Sequence, residues 1–265
     1  MTENHEQLKT MLQDIEKWEK DQKSLWFWER IGRIPFMLLD KFTPKFIQDK
    51  MMTLVDEIGG FVQTGGRYLI SEKAILNRFA KHSGVLDEDV SIETAASMPI
   101  AVMDEVAEDL RSSRKNIAAV QGASTGVGGI FTLAADIPLS LGLALKTLQE
   151  IALAYGYDPH EKEERYFIIK CLQFASSDVV GKKAILEDLT ALNKSEANRQ
   201  AFSQIQGWRE VLMTYRDNYG WKKLFQMIPI AGIVFGAFIN RSAIDEVAET
   251  GMMLYKKRRV LERLN

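Results

Sequence analysis

Between Asn116 and Leu145 the chain carries one formal charge, Asp136, in a protein where 26% of residues are charged. So long an uncharged stretch cannot lie flat on a globular surface in water; protein, lipid or both must shelter its apolar side chains. Its middle reads Gln121-Gly122-Ala-Ser124-Thr125-Gly126-Val-Gly128-Gly129, and Ala135-Asp136-Ile137-Pro138 follows. A second uncharged run, Leu224 to Asn240, contains Pro229, Gly232, Gly236 and Asn240. Gly122-x-x-x-Gly126 and Gly232-x-x-x-Gly236 each form a helix face that another backbone can approach closely, so the two runs are expected to pack on each other. Both contain proline, and the second is short for a span of about 20 residues. Buried hairpin-like helices are therefore expected ahead of transmembrane ones, with shallow membrane insertion as a third arrangement.

The rest of the chain reads as helix. Residues Glu3 to Glu29 place Leu8, Leu12 and Ile15 at helical spacing and end on Trp18, Trp26, Phe27 and Trp28, interleaved with Lys20, Lys23, Arg30 and Arg33. That composition suits a membrane interface, but a helix docking its aromatics on its own core is expected ahead of it. Thr43-Pro44 starts a segment that runs to about Ala80, interrupted by Gly59-Gly60 and Gly65-Gly66 and ended by His82-Ser83-Gly84. Met98-Pro99 opens a helix with apolar positions 103, 106, 107, 110, 117 and 120. Its acids, Asp104, Glu105, Glu108 and Asp109, read as a solvated face, because no Glu-x-x-His accompanies them.

The first uncharged run is expected as two short helices meeting at Asp136-Ile137-Pro138, with Asp136 as N-cap and Pro138 in the first turn. Tyr155-Gly156-Tyr157 closes the second of them. Asp158-Pro159-His160-Glu161 reads as a capping box opening the next helix. Further helices are expected over Val179–Leu192, Ser195–Asn218 and Ser242–Leu264. The last ends with Lys256, Lys257, Arg258, Arg259 and Arg263, which suit a helix C-terminus and offer a second role on anionic lipid. No set of alternating strands with hairpin turns is present. The expectation is an all-α, single-domain multi-helix bundle with two buried Gly-rich apolar segments. Residues 1–42 form an N-terminal aromatic amphipathic helix and linker, and residues 43–265 the main helical domain.

Catalytic motifs fail on context. Gly122 to Gly128 with Tyr166-x-x-x-Lys170 imitates a dinucleotide-binding enzyme, but a helix precedes the glycines and no strand follows. Gly122-x-Ser124-x-Gly126 imitates a nucleophile elbow, with Asp136 and His160 downstream, but no parallel sheet exists to build one. No Gly-Lys-Ser/Thr marks a phosphate loop. His5, His82, His160 and the lone Cys171 give no metal-ligand spacing, so neither metal nor cofactor is expected. A formal net charge of −2 disfavours nucleic acid. Cys171, among Ile168, Ile169 and Leu172, reads as a core residue of a cytoplasmic protein, and the first residues lack a signal-peptide pattern.

Four blocks, in order and at these separations, resemble the bacterial EcsC family. They are Gly122-Ala-Ser-Thr-Gly126-x-Gly128-Gly129, Ala135-Asp136-Ile137-Pro138, Tyr155-Gly156-Tyr157-Asp158, and Ile228-Pro229-x-x-Gly232-x-x-x-Gly236-x-x-x-Asn240. In looser form the resemblance runs from about Thr43 to Arg259. It implies no reaction, cofactor or catalytic residue. Because the family's namesake is encoded beside the subunits of an ABC transporter, it implies a non-enzymatic accessory protein at the cytoplasmic membrane face, acting on lipid or a membrane-protein partner. The alternative is an enzyme or small-molecule binder with a pocket around Ser124, Thr125, Asp136 and Tyr157.

Overall fold

The computed structural model describes residues 3–22, 70–83, 90–126, 130–177, 179–192 and 229–264, with side chains apart from those of 125–138, 176, 179–180, 188, 190–192 and 229–239. Among them are eight helices and no strand: α1 His5–Gln22, α2 Glu72–Ser83, α3 Ile92–Ser97, α4 Ile100–Gly126, α5 Ile130–Ala154, α6 Lys162–Ser176, α7 Val179–Leu192 and α8 Pro229–Leu264. The all-α expectation holds. The helix starting at Thr43, the helix Ser195–Asn218, the 42/43 boundary, Gly128, and Trp26, Phe27, Trp28, Arg30 and Arg33 lie outside the described residues.

Local chemistry accounts for most helix ends. Asn4 and Gln7 form a reciprocal capping box: Gln7 N–H donates to Asn4 Oδ1 and Asn4 N–H to Gln7 Oε1, each at 2.9 Å. The short α3, which the sequence reading omitted, is capped by Ser91, whose Oγ accepts from the Thr94 N–H at 3.2 Å. The Pro99 carbonyl accepts the first bonds of α4. Helix α5 ends in a Schellman motif: Gly156 has φ +73°, Tyr157 N–H returns to the Ala152 carbonyl at 2.9 Å, and Gly156 N–H to Leu153 at 2.9 Å.

Three expectations are corrected. First, α5 is continuous through Asp136-Ile137-Pro138, so Asp136 is an interior residue and no N-cap. Proline forfeits one backbone bond there, a cost that packing along a 25-residue helix can absorb. Second, α8 is one helix of 36 residues, joining part of the second uncharged run to the segment expected to begin at Ser242. Third, the Asp158 capping box does not form. Asp158 Oδ1 accepts from its neighbour's backbone, His160 N–H, at 2.8 Å, and α6 begins only after Glu161, which makes no side-chain cap bond. In addition, Ile70 and Ser71 are not helical, so α2 starts afresh at Glu72.

Helices α4 and α8 run antiparallel and form the centre of the bundle. Arg111 Nε donates to Asp245 Oδ1 at 2.6 Å, Lys256 Nζ to Asp104 Oδ2 at 2.6 Å, and Arg241 Nη1 to Asn116 Oδ1 at 3.2 Å. At the register those pairs set, Gly122 and Gly126 of α4 come level with Gly236 and Gly232 of α8. Helix α5 crosses α8 closely at Gly251, where a Cβ would stand 2.8 Å from Leu148 Cδ2. One core joins α1 through Leu8 and Ile15, α2 through Phe79, α4 through Met103, Val106 and Leu110, and α5, α6 and α8. The first helix therefore shares the main core.

Gly156 takes a left-handed conformation, and a Cβ there would lie 2.6 Å from Ala96 Cβ. Gly156→Ala is expected to lower unfolding stability by at least about 2 kcal/mol, combining backbone strain with overpacking. Gly142 lies inside α5 with no atom within 4 Å of an added Cβ, so Gly142→Ala should stabilise by about 0.5–1 kcal/mol. Urea titration of both variants checks the contrast.

Candidate functional site

The bundle has two chemically different ends, joined by α5. The polar end is the corner Tyr155-Gly156-Tyr157-Asp158, where helix termination leaves carbonyls unpaired. Arg259 supplies donors: its Nη2 gives hydrogen bonds to the Tyr155 carbonyl at 2.6 Å and the Gly156 carbonyl at 3.2 Å. Arg258 lies 4.1 Å above the Tyr157 ring and pairs with Glu164 at 2.7 Å. Arg259 also approaches that ring, at 4.3 Å, so both cations meet one aromatic face system. Tyr157 donates to Glu262 at 2.9 Å, Tyr255 to Glu164 at 2.6 Å and Tyr155 to Asp104 at 2.6 Å.

Burial pushes all three phenols above the ordinary tyrosine range, helped by the carboxylates at Tyr155 and Tyr255 and opposed at Tyr157 by Arg258 and Arg259, so they stay protonated and donate. Burial also raises the Cys171 thiol, which leaves it inert. Glu164 and Glu150 are held above the usual carboxylate range by burial, which their partners Arg258 and Arg114 oppose.

The C-terminal cations are thus internal struts. Lys256 pairs with Asp104 and Lys257 with Glu19 at 2.7 Å, while Arg263 holds Glu3 and the Met98 carbonyl at 2.6 Å. The lipid option for this cluster is withdrawn, because each cation already has a partner within the fold. Trp18 is likewise docked: its Nε1–H donates to Glu249 at 2.8 Å and its ring lies 5.6 Å from Phe174. The helix acids are only partly a solvated face. Asp104 and Asp109 are half-buried ion-pair partners of Lys256 and Arg78, and Glu105 and Glu108 are exposed.

Beside the corner lies an open cleft of about 650 Å³, lined by Ile92, Glu93, Tyr157, Asp158, Glu164 and Arg258, among others. It contains no nucleophile held by a base. Asp158 Oδ1 faces His160 Nδ1 at 2.8 Å. Among the described residues no group of His, Cys, Asp and Glu is placed to hold a metal ion.

At the other end the helices carry one charge among the described residues, Asp136. There α4 continues past Asn116 to Gly126, α5 begins at Ile130, and α8 begins at Pro229. Gln121 Nε2 donates to Ser140 Oγ at 3.3 Å, tying α4 to α5; Gly122 and Asn240 are buried. Ser124 is exposed and its hydroxyl donates to the Gln121 carbonyl at 2.8 Å. Thr125 and Gly126 close α4; Asp136 and Pro138 lie within α5; Pro229, Gly232 and Gly236 lie in the first turns of α8. Tyr157 stands at the far end of α5 from Asp136, roughly 27 Å away at 1.5 Å per residue, so these residues do not form one pocket.

This end corrects the expected core. Met103, Val106, Ala107 and Leu110 are fully buried, but Ile117 is 43%, Val120 72% and Leu139 54% exposed. A straight helix turns 100° per residue, so Val120 has rotated about 100° off the Met103 direction. Helix α2, which covers α4 through Arg78–Asp109 and His82–Glu105, begins at Glu72 and does not follow α4 to Val120. Sequence periodicity has no means of marking where a packing partner stops. Among the described residues no helix is long and apolar enough to cross a membrane.

Comparison with known proteins gives a consistent assignment. The model of the EcsC protein family matches residues 9–260. The chain is 60% identical over 265 residues to the uncharacterized protein YdbA of Bacillus subtilis (strain 168), covering 99% of this chain and 96% of that one. It is 29% identical over 163 residues to protein EcsC of the same organism, covering 62% of this chain and 66% of that one. No solved structure matches.

Removal of the Arg258 side chain leaves Glu164 buried without its cation, so Arg258→Met is expected to cost about 3 kcal/mol in unfolding experiments. Because Glu164 and Glu150 have raised pKa values in the folded state, their contribution to stability is fully present below the ordinary carboxylate range and is lost as pH rises through the raised values. Glu164→Gln combined with Glu150→Gln should flatten that loss in the pH window above the ordinary carboxylate range. A variant curve parallel to wild type across the window would refute the assignment.

Proposed function

The chain belongs to the EcsC protein family, and on that premise we propose that it is a non-enzymatic accessory protein working at the cytoplasmic membrane face, on lipid or on a membrane-protein partner of the ABC-transporter type. The observation that carries this reading is the exposure of Ile117, Val120 and Leu139 within the run Asn116 to Leu145, whose one charge is Asp136. Contiguous exposed apolar surface of this kind marks an interaction site, and a membrane or membrane protein offers the matching medium. The family namesake's genetic neighbourhood supports the transporter alternative. The polar corner supports the non-enzymatic part, since its buried charges serve helix termination and packing.

A small-molecule binder is the second reading, favoured by the cleft beside Tyr157 and Asp158 rather than by Ser124, Thr125 and Asp136. Tyr157→Phe and Asp158→Asn variants that keep the cellular phenotype would end it.

Fractionation of cells expressing the full chain tests the main reading. The protein is expected to sediment with membranes and to be released by detergent. Ile117→Glu with Val120→Glu should move most of it to the supernatant without lowering the melting temperature. Wild-type protein found wholly in the supernatant would defeat the membrane assignment.

A further inference from the structure

We propose that the uncharged end of the bundle inserts into the acyl region of one leaflet of an anionic bilayer, to a depth set by Lys115, Lys146 and Arg241. This deepens the membrane reading above and rests on it. The first argument is depth. Past Asn116, α4 continues to Gly126, roughly 15 Å at 1.5 Å per residue, and antiparallel to it α8 covers 229–240, roughly 16 Å. The hydrocarbon of one leaflet is about half of a core about 30 Å thick. Helices α4, α5 and α8 thus place segments of leaflet length at one end of the bundle, in which Asp136 is the single charge among the described residues.

The second argument is charge. At the base of this end Lys115 faces Asp245 at 3.7 Å, Lys146 faces Glu150 at 3.9 Å, and exposed Arg241 reaches Asn116 at 3.2 Å. Arg114 lies at the same level with Nη2 on Glu150 Oε1 at 2.6 Å. Glu150, 1% exposed, is the inner partner of Lys146, which is 32% exposed, whereas Asp245 is 35% exposed and Lys115 22%. With Lys182 and its partner Glu246, which is 44% exposed, five cations stand against three carboxylates, a net positive collar where headgroup phosphates would lie.

Lipid fits better than a protein partner. A protein interface keeps hydrogen-bonding groups across its patch. Here Ile117, Val120 and Leu139 are apolar, and the Ser124 hydroxyl is spent on its own helix.

The test uses the full chain with Cys171→Ala, carrying Val120→Cys, Leu139→Cys or, as control, Glu163→Cys, each labelled with an environment-sensitive fluorophore. Vesicles are phosphatidylcholine alone or phosphatidylcholine with phosphatidylglycerol. Probes at 120 and 139 are expected to shift to the blue, brighten severalfold and be quenched by acyl-chain nitroxide lipids, with no change at 163. Binding should be about tenfold tighter with phosphatidylglycerol, and Lys115→Gln with Lys146→Gln and Arg241→Gln should abolish that preference. Flotation with vesicles but no response at 120 or 139 would overturn insertion and leave membrane association standing. Absence of flotation would overturn both, and an equal response at 163 would overturn insertion by indicating unfolding on the lipid.

Discussion

The antiparallel contact of α8 with α4 is the constraint from which the rest of the bundle follows. Along it Arg111 bridges Asp245 and Glu249, and Lys256 reaches Asp104. These pairs define a single register over helices of 27 and 36 residues. Slipping by one turn would break several pairs together, each partly desolvated, so register is specified even where the facing residues are small. Once that register exists, α5 must enter at Gly251, α1 must lie across the acidic and basic side chains of α8, and both uncharged runs must reach the same end.

The C-terminal half of α8 shows how a run of cations can be structural. Desolvating a charge is costly unless a partner and hydrogen bonds compensate. Arg258 has Glu164 and two aromatic faces, Arg259 has two carbonyls that helix α5 leaves unpaired, and Arg263 has Glu3 and the backbone before α4. These residues convert the ending of one helix into the docking point of another. That is a use of charge for geometry, and it accounts for the cluster without an external ligand.

Several particulars were open to reading before any coordinates. Gly156 after an apolar helix signals a left-handed cap, and the Schellman bonds agree. Cys171 among aliphatic neighbours is buried. Val179–Leu192 agrees at both ends. Other signals were ambiguous for physical reasons. Proline usually opens or breaks a helix, yet Pro138 lies inside one, because long-range packing can outweigh one lost bond. Asp158-Pro159-His160-Glu161 has the letters of a capping box, but a nearer donor, the His160 N–H, takes the aspartate oxygen.

By itself the sequence determined what depends on local chemistry and on patterns along the chain: an all-helical class, membership in the EcsC family, and two stretches with a single charge, Asp136, between them. Only tertiary structure decided which faces of those stretches are covered, that Asp136 and Tyr157 stand at opposite ends of one helix, and that the terminal cations point inward. The reason is that propensity and charge belong to each residue, whereas burial depends on where neighbouring helices begin and stop. Val120 is apolar by sequence; it is exposed because α2 does not follow α4 that far.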